Sequence, residues 1–118
     1  MRKQDKIDNE LSGWINTIRD MGKDLNKESE SLNEKEIYRQ ALNKWKDKQI
    51  VMVFEEMAEL QKELCKSLRG KENRVEIAEE IADVEIMLGQ MKLYYGIEEG
   101  VKRHKELKLK KLEERVKE

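Results

Sequence analysis

The residues of this chain best placed to do chemistry form two short acidic clusters, Glu55-Glu56-Met57-Ala58-Glu59 and Glu79-Glu80-Ile81-Ala82-Asp83. In each, two carboxylates stand three residues apart: Glu56 with Glu59, and Glu80 with Asp83. On a helix that spacing projects both groups from one face, one turn from each other. Met57, Ala58 and Leu60 interleave the first pair, and Ile81, Ala82 and Val84 the second, so each acidic edge borders an apolar stripe. Like charges gathered beside a core repel one another and lose hydration, and stability gives no reason to collect them. A hard divalent cation does give one, because Mg²⁺ takes oxygen ligands and tolerates several carboxylates at one point. Chance has to be weighed as well, since 43% of the residues are charged and Glu-x-x-Glu pairs arise freely at that density. Glu28, Glu30, Glu34, Glu36, Glu98, Glu99, Glu113 and Glu114 read as solvated helix faces or caps. The doubled occurrence beside an apolar stripe sets the two clusters apart from these.

Four helical segments must position these acids. The first covers about residues 5–25, with Ile7, Leu11, Trp14, Ile15, Ile18, Met21 and Leu25 at helical spacing, and a polar stretch (26–33) follows. Asn33 with Glu36 has the form of a capping box that opens the second segment. That segment carries Ile37, Ala41, Leu42 and Trp45, then Ile50, Val53, Phe54, Met57, Leu60, Leu64 and Leu68. Asp47 offers a fresh start after Trp45, so the segment is one helix with a bend or two helices. Gly70 ends it, and Asn73 with Glu76 forms a second capping box. The third helix runs to Tyr95 with Gly96 as its stop, and the fourth starts near Ile97 and is basic in its second half. The short turn at 70–73 predicts that the two acidic helices pack antiparallel, with Glu56/Glu59 facing Glu80/Asp83 across the seam.

The chain resembles the MazG-like all-α nucleoside triphosphate pyrophosphohydrolases. The resemblance lies in Glu-Glu-x-x-Glu, a spacer of about twenty residues, then Glu-x-x-Asp, and it extends through roughly residues 36–116. Trp45-Lys-Asp-Lys-Gln49 and Ile50-Val-Met-Val-Phe54 look like the approach to the family's first acidic helix. Leu64-Cys-Lys66-Ser-Leu-Arg69-Gly70 looks like its basic end, and Lys108-Leu-Lys-Lys111-Leu-Glu-Glu-Arg115 like the basic C-terminal helix. The likeness is greatest to the short single-domain members typical of Gram-positive bacteria and their phages. One departure stands out: the family often carries a further Asn or Asp beyond the second acidic motif, and no counterpart follows Asp83.

The resemblance implies an all-α antiparallel helical bundle completed by oligomerisation, with a MazG-like domain over 34–118 and an N-terminal helical extension over 1–33 on which it is silent. It implies hydrolysis of (deoxy)nucleoside triphosphates between the α and β phosphates, giving a monophosphate and pyrophosphate, a house-cleaning role in the nucleotide pool. Glu56, Glu59, Glu80 and Asp83 would be the ligands of Mg²⁺, with Mn²⁺ as the alternative ion. Glu55 points about a hundred degrees from Glu56 on the helix and would orient a water or a second ion. Lys66, Arg69, Lys108, Lys111 and Arg115 would bind phosphates, and Gln49 can offer a donor and an acceptor to a base edge. Trp45 or Tyr38 could stack on a base, although Trp45 also fits the apolar stripe. Glu63, Glu76 and Glu79 could reach the rim of the site, and each reads as a plain surface carboxylate before a ligand.

Composition bounds these readings. A chain of 118 residues is one domain at most and buries a small core unaided. Hydrophobic residues are 37% of it, with one Phe, three Tyr and two Trp, so the interior is aliphatic and some apolar surface falls to a second copy, as homodimer or homotetramer. The lack of proline favours helix nearly throughout. A net charge of −1 gives no global attraction to nucleic acid or to a membrane. The single cysteine, Cys65, rules out an intramolecular disulfide, fits a reducing cytoplasm, and is expected on the buried side of its helix. No apolar run approaches the length of a membrane span and no signal-peptide core is present, so the expected setting is cytoplasmic.

Rival classes read differently. A non-catalytic helical interaction or regulatory protein would leave the acids as solvated faces, and predicts a continuous heptad through the second segment; the stripe instead shifts phase near Asp47. A di-iron or di-manganese carboxylate bundle would use Glu-x-x-His pairs, and the only histidine, His104, lies on the basic helix. A nucleic-acid-binding helical domain is disfavoured because the last helix alone is basic and no aromatics interleave it.

Overall fold

The computed structural model describes residues 32–118. The described residues open on a cap that the sequence announces. Asn33 is extended, its side-chain oxygen accepts a 2.9 Å hydrogen bond from the Glu36 N–H, and its amide lies 3.5 Å from the Glu36 carboxylate. This is the reciprocal capping box, and it opens α1 (Glu34–Trp45). The expected first helix over 5–25 lies outside the described residues.

The second segment is two helices. Lys46 takes φ 54° with ψ −130°, a conformation that strains any residue with a Cβ, and α1 ends there. The next helix, α2 (Lys48–Leu68), starts from Asp47, whose side chain makes no capping hydrogen bond. Gly70, at φ +92°, turns the chain out of α2, and α3 (Arg74–Tyr94) follows after a short turn. Gly96, at φ +65°, plays the same part before α4 (Glu98–Val116). Both left-handed positions are ones that glycine occupies without a Cβ penalty.

The second capping box does not form. Asn73 makes no side-chain cap on α3; its amide reaches back to α2 and donates to the backbone carbonyl (2.9 Å) and carboxylate (2.7 Å) of Glu63. The bond to the buried carboxylate is charge-assisted, and with the bond to the carbonyl it holds the Asn73 amide toward α2.

The seam of the fold lies between α2 and α3. Gln49 meets Gln90, Glu56 meets Asp83, and Glu63 meets Asn73, so position falls on one helix as it rises on the other and the pair is antiparallel. The apolar core is thin: Val53 and Met87 in the seam, and Tyr38 from α1. Tyr38 lies against the backbone of α3 at Gly89, where an added Cβ would stand 2.5 Å from the ring. Its hydroxyl donates to Glu34 (2.6 Å), and burial, followed by that bond and the nearby Glu34 and Glu85 charges, pushes its pKa up to about 12. Among the described residues the fold is all-helical, and no helix is long and apolar enough to cross a membrane.

Much of the apolar stripe read from α2 is not covered by the described chain. Phe54 is 64% exposed and Leu68 90%, and Met57 and Leu64 lie on the same open flank. Cys65 is exposed rather than buried, because it shares that flank. Packed against α3 and not against α2, α4 carries exposed Leu107, Leu109, Leu112 and Val116. A surface ion pair, Lys35 with Glu98 at 3.2 Å, ties its start to α1.

Candidate metal centre

Each acidic pair is presented by a helix at i, i+3, and the antiparallel seam brings the two pairs toward one another. Glu56, Glu80 and Asp83 each offer a carboxylate oxygen, and the three oxygens lie within 4.8 Å of one another. Glu56 and Glu80 are half-buried and Asp83 is exposed, so the cluster opens to water on the Asp83 side. Oε2 of Glu80 is buried with no hydrogen-bond partner among the described residues.

The electrostatics follow from this crowding. Burial first, then the charges of Asp83 and Glu80, a hydrogen bond shared with Asp83, and the charge of Glu59 raise the pKa of Glu56 above the ordinary 4.5. Burial, then the charges of Asp83, Glu59, Glu63 and Glu79, raise that of Glu80. An orphaned carboxylate oxygen among like charges costs free energy unless a cation answers it. A hard cation would satisfy it with an all-oxygen donor set, so these three residues fit Mg²⁺.

The other expected residues are placed less uniformly. Glu59 is exposed and outside the 4.8 Å cluster, although its charge acts on both Glu56 and Glu80. Glu55 is exposed on another side of α2 and joins no cluster. Lys66 lies one turn from Glu63 and is engaged by it at 3.0 Å, while Arg69 is the exposed C-cap of α2. Lys108, Lys111 and Arg115 are exposed on α4, a helix that does not pack against α2. The structure of this chain therefore brings together three of the four expected ligands and none of the expected phosphate-binding residues.

Two residues at this seam were misjudged or missed in the sequence. Glu63 is no surface carboxylate: it is 9% exposed, and its hydrogen bonds from Asn73 and Lys66, together with the Lys66 and Lys71 charges, hold its pKa below the ordinary value against the opposing effect of burial. Gln90 is 4% exposed and accepts a 2.7 Å hydrogen bond from Gln49, itself 7% exposed. The available signal for Gln90 was its i+3 spacing from Met87, an amide on an otherwise apolar face. For Glu63 it was the i, i+3 spacing from Lys66.

Compared with models of protein families, with curated proteins and with solved structures, the chain matches none.

Proposed function

We propose that this chain is a Mg²⁺-dependent nucleoside triphosphate pyrophosphohydrolase that cleaves between the α and β phosphates. The observation that carries the reading is the seam cluster of Glu56, Glu80 and Asp83, with one Glu80 oxygen buried and unpartnered among the described residues. The resemblance in Glu55-Glu56-x-x-Glu59 and Glu80-x-x-Asp83 supplies the reaction.

Glu56, Glu80 and Asp83 would hold the ion, with Glu59 one turn away on the same face of α2. When bound, Mg²⁺ neutralises triphosphate charge and acidifies water for attack on phosphorus. The carboxylates hold negative charge at one point and so repel a triphosphate until they are neutralised. Glu55 lies outside the cluster on another side of α2, so a water-orienting role for it rests on the resemblance alone. Basic residues must complete the site, and Arg69 at the end of α2 is a candidate that no ion pair engages among the described residues.

The same reading includes assembly of at least two copies. Exposed Phe54, Met57, Leu64 and Leu68 on α2 and Leu107, Leu112 and Val116 on α4 are apolar surface that favours cover. In an assembly Lys108, Lys111 and Arg115 of α4 serve the carboxylates of a neighbouring copy. Sedimentation equilibrium should give at least twice 14.1 kDa; a monomer in solution contradicts the assembly.

The test of the reaction is product analysis. Nucleoside and deoxynucleoside triphosphates are incubated with the protein and Mg²⁺, with pyrophosphate counted apart from orthophosphate. Pyrophosphate and monophosphate in equal amounts, lost in Asp83→Asn, are expected. Orthophosphate and diphosphate as products, or no turnover with any substrate, would overturn the reading.

A further inference from the structure

Two turns from the carboxylates, the α2–α3 seam holds a second polar feature. Gln49 precedes Glu56 by seven residues and Gln90 follows Asp83 by seven, so each amide shares a helix face with an acid, about 10 Å along the axis. The two carboxamides meet there: Gln49 Nε2 donates to Gln90 Oε1 at 2.7 Å, and Gln90 Nε2 lies 3.7 Å from the Met87 sulfur. Both side chains are more than nine-tenths buried.

Buried amides are stable when every donor and acceptor is used. Gln49 is only half used. Its Oε1 and the second hydrogen on Nε2 have no hydrogen-bond partner among the described residues. Gln49 itself lines an open groove of about 510 Å³, together with Trp45, Lys48, Val51, Met52 and Met87. The walls suit a flat ring, since an indole and two thioethers give polarizable surfaces that pack well on aromatic faces. Trp45 is 46% exposed there, held with its ring 5.1 Å from the Lys44 ammonium.

We infer that the Gln49 carboxamide, held in orientation by Gln90, reads the hydrogen-bonding edge of a nucleobase seated in the Trp45–Met52–Met87 groove. This rests on the reading of the carboxylate cluster as the triphosphate end of the same seam. A carboxamide offers one acceptor and one donor side by side, and it pairs bidentately with a base edge that presents the complementary order. Order is what distinguishes amino bases from oxo bases: at the exocyclic group and the ring nitrogen beside it, adenine and cytosine present donor then acceptor, and guanine, uracil and thymine present acceptor then donor. An amide free to flip would accept both orders. Gln90 restricts that freedom: with its own Nε2 turned toward the Met87 sulfur at 3.7 Å, its Oε1 faces Gln49 and accepts from the NH₂ end. Gln49 is the group that touches the base, and Gln90 is a positioning residue.

The experiment uses the whole chain, without metal, titrated with the 5′-monophosphates of adenosine, guanosine, cytidine and uridine. Side-chain amide and indole signals are followed by ¹H–¹⁵N NMR. The Gln49 amide and Trp45 indole signals should shift, with half-saturation at least tenfold lower for one class of base, amino or oxo, than for the other. Gln90→Leu should abolish the difference between classes, while Gln90→Glu, which keeps the acceptor, should retain it. The double variant Gln49→Leu/Gln90→Leu replaces both partners by apolar groups and so should remain folded; it should bind all four monophosphates weakly and equally. Unmoved Gln49 signals, equal half-saturation for the two classes, or a preference that survives Gln90→Leu overturns the inference. Mg²⁺-induced stabilisation, measured on the same samples, reads the carboxylates separately. Stabilisation with unmoved amides leaves the metal centre standing and removes the base site. Moved amides without stabilisation do the reverse.

Discussion

Glu56 on α2 and Asp83 on α3, twenty-seven positions apart, present carboxylate oxygens within 4.8 Å of each other across the seam. Two acids brought that close, with Glu80 adding a third, oppose folding unless a cation answers them. Mg²⁺ binding to the folded state alone should therefore raise the melting temperature, by about 2.7 kcal/mol of stability at a hundredfold excess over Kd. Glu80→Gln should melt at or above the wild-type temperature without metal and gain nothing from Mg²⁺. A metal-free variant less stable than wild type would show that Glu80 is held by contacts rather than kept for a ligand.

The pH dependence of the metal-free protein has a definite sign. Glu56 and Glu80 have folded pKa values above the ordinary 4.5, so between 4.5 and the raised values the folded state binds more protons than the unfolded one. Their contribution is fully present below 4.5 and is lost as pH rises through the folded pKa. Binding Mg²⁺ must expel those protons. Calorimetric titrations just above the ordinary 4.5, in buffers of different ionisation enthalpy, should show protons released, with affinity rising with pH; buffer-independent heats contradict this.

Asn73 should matter for stability although it caps nothing. Asn73→Ala removes the donor to the buried Glu63 carboxylate and a second bond to its backbone carbonyl, and with them a bond that lowers the Glu63 pKa, so the urea midpoint at pH 7 should fall. A lowered carboxylate pKa contributes stability above the unfolded value of 4.5 that is lost as pH falls through the folded value. Urea melts at pH 7 and pH 3.5 should therefore differ less in Asn73→Ala than in wild type. An unchanged midpoint at pH 7 would contradict the assignment.

Gly89→Ala sets two effects against each other. Alanine gains about 1 kcal/mol in helix propensity over glycine. Its Cβ would stand 2.5 Å from the Tyr38 ring, which is buried and fixed at its hydroxyl by Glu34, and such overpacking costs about 1–3 kcal/mol. A net loss of about 1 kcal/mol is expected in urea denaturation. Tyr38→Leu beside it should restore part of the loss by opening the space; no loss in the single variant would show that the ring yields freely.

What the sequence made legible was local. Asn33, Gly70 and Gly96 act through their own neighbours, and each does what its chemistry requires. The acids were legible because spacing on a helix dictates a shared face, and Glu56, Glu80 and Asp83 meet accordingly. Side-chain pairing between helices was not. Asn73 has the form of a cap, but α2 returns a buried carboxylate within its reach, and nothing within three residues of it reveals that. Cys65 and Phe54 show the complementary failure: periodicity marks an apolar flank without saying whether this chain covers it.

The measurement that bears most directly on the central claim is a Mn²⁺ titration followed by electron paramagnetic resonance, with Mn²⁺ standing in for Mg²⁺ as an oxygen-seeking ion. The free-ion signal should fall on adding wild-type protein, return on adding excess Mg²⁺, and persist undiminished with Glu80→Gln or Asp83→Asn. A free-ion signal equally undiminished by wild type and variants would contradict the metal centre, and leave Glu56, Glu80 and Asp83 as a crowded acidic edge of a helical binding protein.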